Sequence, residues 1–390
     1  MKKLSIILIC IVFTQVSKAQ DRVITTGVPF LLVAADARSA GLADQGVATS
    51  PDAYSQQYNP AKYAFSSEKS GVAISYTPYL TDLVNDISLG QLNYFNRFND
   101  GRMAFAGSLR YFGLGEIELR QNFDDPANVV KPNELALDLS YALQLSQNFS
   151  MAVAGRYIRS NLEIPDGSGD SKPASTFAVD VAGYFQSEEV AYETFNGRWR
   201  GGFNFQNLGP KIKYDAGGGD DNANFLPANL RVGAGFDFIF DEYNKVFVGA
   251  EFTKLLVPTP QDPDLNGDGD ITTEERLQNN SDYRKINWVS GVFESFGDAP
   301  DGFGEEIKEF TYSLGAEYLY QDSFAFRLGY FNESELKGAR KFFSLGAGFK
   351  YNVVKIDVSY LFSASQVKNP LENTLRFSLT FNFGEKYDDY

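Results

Sequence analysis

The chain has 390 residues, enough for one large barrel or two ordinary domains. It holds no histidine and a single cysteine, which removes the commonest general base, a common zinc ligand and any internal disulfide. The net charge is −15, which argues against a nucleic-acid partner.

Residues 1–19 have the form of a secretory signal. Lys2 and Lys3 lead, an apolar run follows from Leu4 to Phe13, and Ser17-Lys18-Ala19 offers a small-x-small cleavage site. The run is too short to span a bilayer as a helix. Cys10 lies inside it, too early to be the lipid-modified residue of a lipoprotein. Removing Lys2, Lys3 and Lys18 takes the charge from −15 to −18 and leaves a mature chain without cysteine.

Residues 20–70 carry no strand pattern. Phe30-Leu31-Leu32-Val33 leads into a small-residue helical stretch, Ala34–Leu42, and Asn59-Pro60-Ala61 reads as a turn. A segment of this length before the first strand is expected to fill a barrel lumen as a plug or hatch.

From residue 71 to 384 the chain alternates. Leu135, Leu137, Leu139, Tyr141, Leu143 and Leu145 oppose Asp138, Ser140 and Gln144. Leu230–Phe240, Phe310–Tyr320, Phe324–Tyr330, Val354–Phe362 and Leu375–Phe383 repeat the pattern. In the last, Leu375, Phe377, Leu379, Phe381 and Phe383 face away from Arg376, Ser378, Thr380 and Asn382. Large aromatics on one face and charges on the other suit lipid outside and a wet lumen inside. Runs of about nine to eleven residues match a tilted strand crossing a bilayer. Asp138, Arg231, Asp237, Glu251, Glu317, Arg327, Lys355, Asp357 and Arg376 are the inward charges, expected to salt-bridge one another or meet the plug.

Tight polar turns near Asn99-Asp100-Gly101, Ser146-Gln147-Asn148, Asp241–Asn244, Gln321-Asp322 and Tyr351-Asn352 alternate with longer joins. The sum is an all-β membrane protein: an antiparallel outer-membrane β-barrel of about fourteen strands with a small N-terminal plug, its long loops outside the cell and both termini in the periplasm. Residues 385–390 form a tail.

The sharpest local motif is Asp264-Leu-Asn-Gly-Asp-Gly-Asp-Ile-Thr-Thr-Glu-Glu275, which fits the twelve-residue calcium loop at every defined position. Asp264, Asn266, Asp268 and Glu275 would supply side-chain oxygens, Asp270 its carbonyl, and Thr272 a direct or water-mediated contact. Gly269 permits the sharp turn, and a threonine would cap a following helix. Pro258, Pro260 and Pro263 preclude an entering helix, so the expectation is one structural Ca²⁺ in the longest external loop. Neither Gly217-Gly218-Gly219 nor Gly113-Leu-Gly115 completes a phosphate or dinucleotide motif, and no nucleophile elbow is present.

Val28-Pro29-Phe30-Leu31-Leu32, Ala35-Asp36-Ala37-Arg38, Gly41-Leu-Ala-Asp-Gln-Gly46-Val-Ala-Thr-Ser-Pro-Asp52-Ala and Tyr58-Asn59-Pro60-Ala61-Lys62-Tyr63-Ala64-Phe65 closely resemble the PorV (LptO) family of the type IX secretion system. That family in turn resembles FadL-type barrels of fourteen strands, whose hatch also holds an Asn-Pro-Ala element. The resemblance implies a non-enzymatic subunit that associates with the SprA/Sov-type translocon barrel, receives secreted cargo through its C-terminal domain, and passes it to attachment-complex proteins. The contacts are expected on the external loops Gly113–Asn133, Asn207–Pro227 and Val257–Glu309. The resemblance leaves open a FadL-like transporter of hydrophobic small molecules, which would need an apolar conduit; the charged inward set disfavours one. An outer-membrane enzyme is the third class, and it would have to work without histidine or cysteine.

Overall fold

Residues that alternate apolar and polar must present two faces, and here both faces are used by closing the sheet on itself. The computed structural model describes residues 23–80, 84, 86–120, 126–162, 165–166, 169–170, 173–214, 223–365 and 371–385. The signal segment, Gly217–Asp221 and the tail beyond 385 lie outside the described residues. Fourteen long antiparallel strands form the barrel. They are β1 (Glu68–Pro78), β2 (Ile87–Phe98), β3 (Met103–Leu114), β4 (Asn133–Gln144), β5 (Phe149–Asn161), β6 (Ala174–Gln186) and β7 (Asn196–Leu208) in the first half. The second half holds β8 (Asn229–Ile239), β9 (Asn244–Leu255), β10 (Phe310–Tyr320), β11 (Phe324–Asn332), β12 (Lys341–Tyr351), β13 (Val354–Ser363) and β14 (Leu375–Glu385).

Each strand pairs with its sequence neighbour, and β1 closes the ring against β14, with Val72 opposite Phe381. Closure leaves no open barrel edge, so backbone polar groups are satisfied within the sheet as lipid requires. Among the described residues one register shift interrupts the ring, between Val179 and Val181 of β6 against β7. A short extra strand, Val190–Ala191, folds back on the start of β7. No helix among the described residues is long and apolar enough to cross a membrane.

The outward set carries Ile74, Leu139, Val153, Leu314, Phe326, Leu328 and Phe377, all exposed. Aromatic clusters rim the wall at both ends. Trp199, Phe236, Phe238 and Phe240 lie by the short turns, and Tyr312, Tyr330 and Phe343 lie by the long joins. Leu139 is 68% exposed, an arrangement that only lipid satisfies. Leu139→Arg is expected to cost about 2–4 kcal/mol of barrel stability, read from urea titration of the heat-modifiable folded band. An unchanged midpoint would reverse the face assignment.

Short turns and long joins alternate around the ring. The short turns place Asn99, Asp100, Asp322 and Asn352 at φ of 49–54°, a left-handed conformation that Asn and Asp tolerate better than most residues. The first strand starts at Glu68, slightly before the expected Gly71. The helical stretch expected over Ala34–Leu42 is shorter, Ala37–Gly41, because Asp36 takes an extended conformation and accepts the Ser39 N–H as an N-cap.

The plug threads the lumen from one mouth to the other. Val28, Phe30 and Leu31 pack against Leu89, Phe112 and Ile158 at the long-join end. Ala64 is held at the short-turn end, its carbonyl accepting from Arg97 at 3.0 Å. The two termini themselves lie outside the described residues. The strand termini lie with the short turns, Glu68 opposite Glu385. The described N-terminal end lies at the opposite mouth, where the Gly27 N–H donates to the Phe225 carbonyl at 2.9 Å. A plug without strand periodicity gives no signal of its direction.

Candidate functional site

Inward-facing positions of the wall carry charges and hydroxyls, and the plug brings the complementary groups. Arg38, on the plug helix, is the hub. Its guanidinium reaches Glu317 of β10 at 2.8 and 3.1 Å and Asp52 of the plug at 2.7 Å. Glu317 also pairs with Arg327 of β11 at 2.5 Å, and Arg327 reaches Asp357 of β13 at 2.8 Å. Lys355 approaches Asp357 at 3.5 Å. Arg231 pairs with Glu251 at 2.9 Å, and the other Glu251 oxygen accepts the N–H groups of Gly46 and Val47. Arg376 faces Asp44 of the plug at 3.5 Å, Asp138 pairs with Arg156 at 2.5 Å, and Asp237 pairs with Arg200 at 2.7 Å.

All nine inward charges read from the alternation thus face the lumen, and each has a partner of opposite sign. Among their partners, Arg38 and Asp44 lie in the plug motifs that carry the family resemblance, and Arg156 and Arg200 lie on wall strands. Arg156 and Arg200 share strand parity with inward neighbours and were legible on that signal. Arg38 and Asp44 carry no periodicity and were not.

Neutral bonds complete the seat. Ser378 Oγ accepts from Ala37 N–H at 2.8 Å, Ser344 Oγ from Ala43 N–H at 3.0 Å, and Asn204 donates to the Tyr58 carbonyl at 2.8 Å. Asn59, of the Asn-Pro-Ala element, donates to the carbonyls of Val47 and Gly183 at 2.9 and 3.0 Å. Burial and the charge of Asp52 raise Asp36 above the usual carboxylate range, while Lys62 and Arg38 overcome burial to hold Asp52 below it. Burial lowers Lys62 to about 8; its ammonium donates to Gly46 O and Thr49 Oγ1.

Lumenal glycines let the plug backbone lie against the wall. A Cβ on Gly202 would sit 2.2 Å from Val47 O, one on Gly329 2.4 Å from Ala43 N, and one on Gly346 3.1 Å from the Gly41 Cα. A cavity of about 140 Å³ remains at the short-turn mouth. Arg38, Asp52, Glu317, Lys355 and Asp357 line it together with Tyr54, Leu319, Phe324 and Phe349, a mixed wall of charges and apolar side chains.

At the other mouth the long joins form a folded platform. Phe225 of the 209–228 join packs edge-on against Tyr283 at 5.5 Å, and Lys211 Nζ donates to the Arg284 carbonyl at 2.6 Å. The helix Thr273–Lys285 starts from Thr272, which forms a full capping box with Glu275. In the calcium-type loop, Asp264 accepts from the Gly267 and Gly269 N–H groups at 2.7 and 2.9 Å. Asn266 and Asp268 accept from Asp268 N–H and Asp270 N–H at 2.8 Å each. Gly267 and Gly269 take φ of 74° and 85°, which the tight loop needs. Glu275 turns its Oε2 to the Thr272 N–H and Oγ1 at 2.9 and 2.8 Å, so the carboxylates of Asp264, Asp268 and Glu275 are held by local hydrogen bonds and do not converge on one point.

A family model for the type IX secretion system protein PorV matches residues 16–262. No curated protein matches the chain. Among solved structures, the Pseudomonas putida toluene transporter TodX is similar over 92% of this chain and 98% of its own, at 11% identity and a TM-score of 0.51. A TodX deltaS2S3 mutant, titled a monoaromatic hydrocarbon channel, covers 89% of this chain and 98% of its own, at 11% identity and a TM-score of 0.52. At such identity these likenesses speak for the fold alone, a barrel like that of TodX. With the family match spanning more than half its length, the chain belongs to the PorV family of the type IX secretion system.

Proposed function

We propose that this chain is a non-enzymatic binding subunit of protein export. It would engage a SprA/Sov-type translocon barrel, receive secreted proteins through their C-terminal domain, and hand them to the attachment machinery. The observation that carries this reading is the plug: ion-paired and hydrogen-bonded around the wall, it suits a scaffold better than a conduit. In the proposed orientation the long joins face outside, the short turns face the periplasm, and the loop platform meets cargo.

The test is a mild-detergent pull-down of tagged protein from its native outer membrane, with mass spectrometry of what co-purifies. Recovery of a giant translocon barrel and of secreted proteins sharing a C-terminal domain is the expected result. Recovery of the barrel alone with a bound hydrophobic metabolite would favour transport of small molecules, the activity named for TodX.

We also propose that Asp264, Asn266, Asp268, Asp270, Thr272 and Glu275 hold a structural Ca²⁺ that orders the longest loop. Calorimetry on chelated protein is expected to give a Kd of about 10⁻⁴–10⁻³ M, the range of extracellular sites. Asp264→Ala with Glu275→Gln should abolish the heat while leaving the folded barrel intact. No heat at millimolar Ca²⁺ would sink the proposal.

A further inference from the structure

The segment Phe303–Glu309 is amphipathic in the wrong sense for water. Its acids point in and its apolar groups point out. Glu305, Glu306 and Glu309 are 4%, 6% and 8% exposed, whereas Phe303 and Ile307 are 80% and 54% exposed. The acids meet two buried lysines. Lys254 Nζ lies 2.6 Å from Glu309 and 3.2 Å from Glu306. Lys337 Nζ lies 2.5 Å from Glu305 and 3.1 Å from Glu309.

The position of this clasp is set by strand parity. In β9, Glu251 points into the lumen and holds the plug, while Val248 and Phe252 point outward and are exposed. Lys254 therefore has outward parity. Its register partner is Phe310, the first outward residue of β10, and its ammonium lies 5.6 Å from that ring. The clasp thus sits on the outer flank of the barrel at the long-join rim, not over the lumen. Phe303 and Ile307 are both exposed and lie just before the outward residues Phe310, Tyr312 and Leu314 in the chain, tied to that flank of the barrel by the Glu306 and Glu309 pairs with Lys254. Of these, Tyr312 joins the rim aromatics Tyr330 and Phe343.

We propose that Phe303 and Ile307 form a lipid-contacting foot, seated at the acyl–headgroup boundary of the membrane beside β9 and β10. The occupant is lipid because the patch is tied to the flank of the lipid-facing wall, and aromatic and aliphatic side chains at that height are those a bilayer interface accepts. The clasp then has a physical role: it neutralises Lys254, which would otherwise present a charge at the edge of the lipid belt, and fixes the loop's lower edge on the membrane.

Cys10 is the single cysteine of the chain, and with it replaced by serine single spin labels can be placed elsewhere. Phe303→Cys and Ile307→Cys would each be labelled and the protein reconstituted alone into phosphatidylcholine–phosphatidylethanolamine vesicles. Leu314→Cys serves as the wall reference and Leu265→Cys as the loop reference. Both foot labels are expected to be relaxed more by oxygen than by a water-soluble nickel chelate, as at Leu314→Cys. Chelate access equal to that at Leu265→Cys would overturn the proposal. So would protection that develops only when outer-membrane extract is added, because the apolar surroundings would then be protein. Should Phe303→Cys fail to fold, Ile307→Cys reads the same foot.

Discussion

Arg38→Leu is expected to unseat the plug. Arg38 is buried and bridges Glu317 of the wall to Asp52 of the plug, with Ser50 accepting at its outer edge. Its removal leaves Glu317 sharing Arg327 with Asp357, and leaves Asp52 without that cation. Breaking one partner of a buried ion pair costs about 3–5 kcal/mol, because the remaining charge stays desolvated. The strand ladder is untouched, so the barrel should remain folded and heat-modifiable. The plug segment should become protease-sensitive, and planar bilayers should show conductance steps absent from the wild type. Arg38→Lys should be intermediate, since a lysine supplies charge without the forked geometry. Wild-type protease resistance and no conductance in Arg38→Leu would show that the ion cluster does not hold the plug.

Gly202→Ala and Gly201→Ala, neighbours in β7, are expected to differ sharply. A Cβ on Gly202 would lie 2.2 Å from Val47 O and 2.8 Å from Asn59 Nδ2. Neither atom is free to retreat. Asn59 Nδ2 donates to Val47 O and to Gly183 O at once, and Pro60 follows it in the 3₁₀ turn Pro60–Phe65. A Cβ on Gly201 points outward and meets only Gly233 O at 3.9 Å. Overpacking of a tight site costs about 1–3 kcal/mol, so Gly202→Ala should lower the thermal midpoint and loosen the plug. Gly201→Ala should be near neutral. Equal midpoints for the two variants would mean the plug does not lie against β7 as described.

Much of this molecule was written in local pattern. The alternation of Phe310–Tyr320 and Leu375–Phe383 was enough to assign strands, and the turn chemistry at Asn99-Asp100-Gly101 and Tyr351-Asn352 was enough to join them. Both signals are local because a strand's side chains repeat every two residues and a bilayer demands one apolar face. The family resemblance is concentrated in Pro29–Phe65, a contiguous stretch of the chain. The capping box at Thr272 was likewise legible from four consecutive positions.

Other features came only from tertiary structure. Arg38 and Glu317 are 279 residues apart, and no period links them. The direction of the plug, with Gly27 at the long-join mouth, depends on where the chain re-enters the lumen. Lys254 shows the limit most plainly. Its parity points it at lipid, and only the return of Glu306 and Glu309 beside it explains why a lysine stands there. By itself, then, the sequence determined which residues face lipid and which face the lumen, because pleat and bilayer act on neighbours. Only the tertiary structure decided which charge meets which, because a buried ion pair is made by groups brought close in space whatever their distance along the chain.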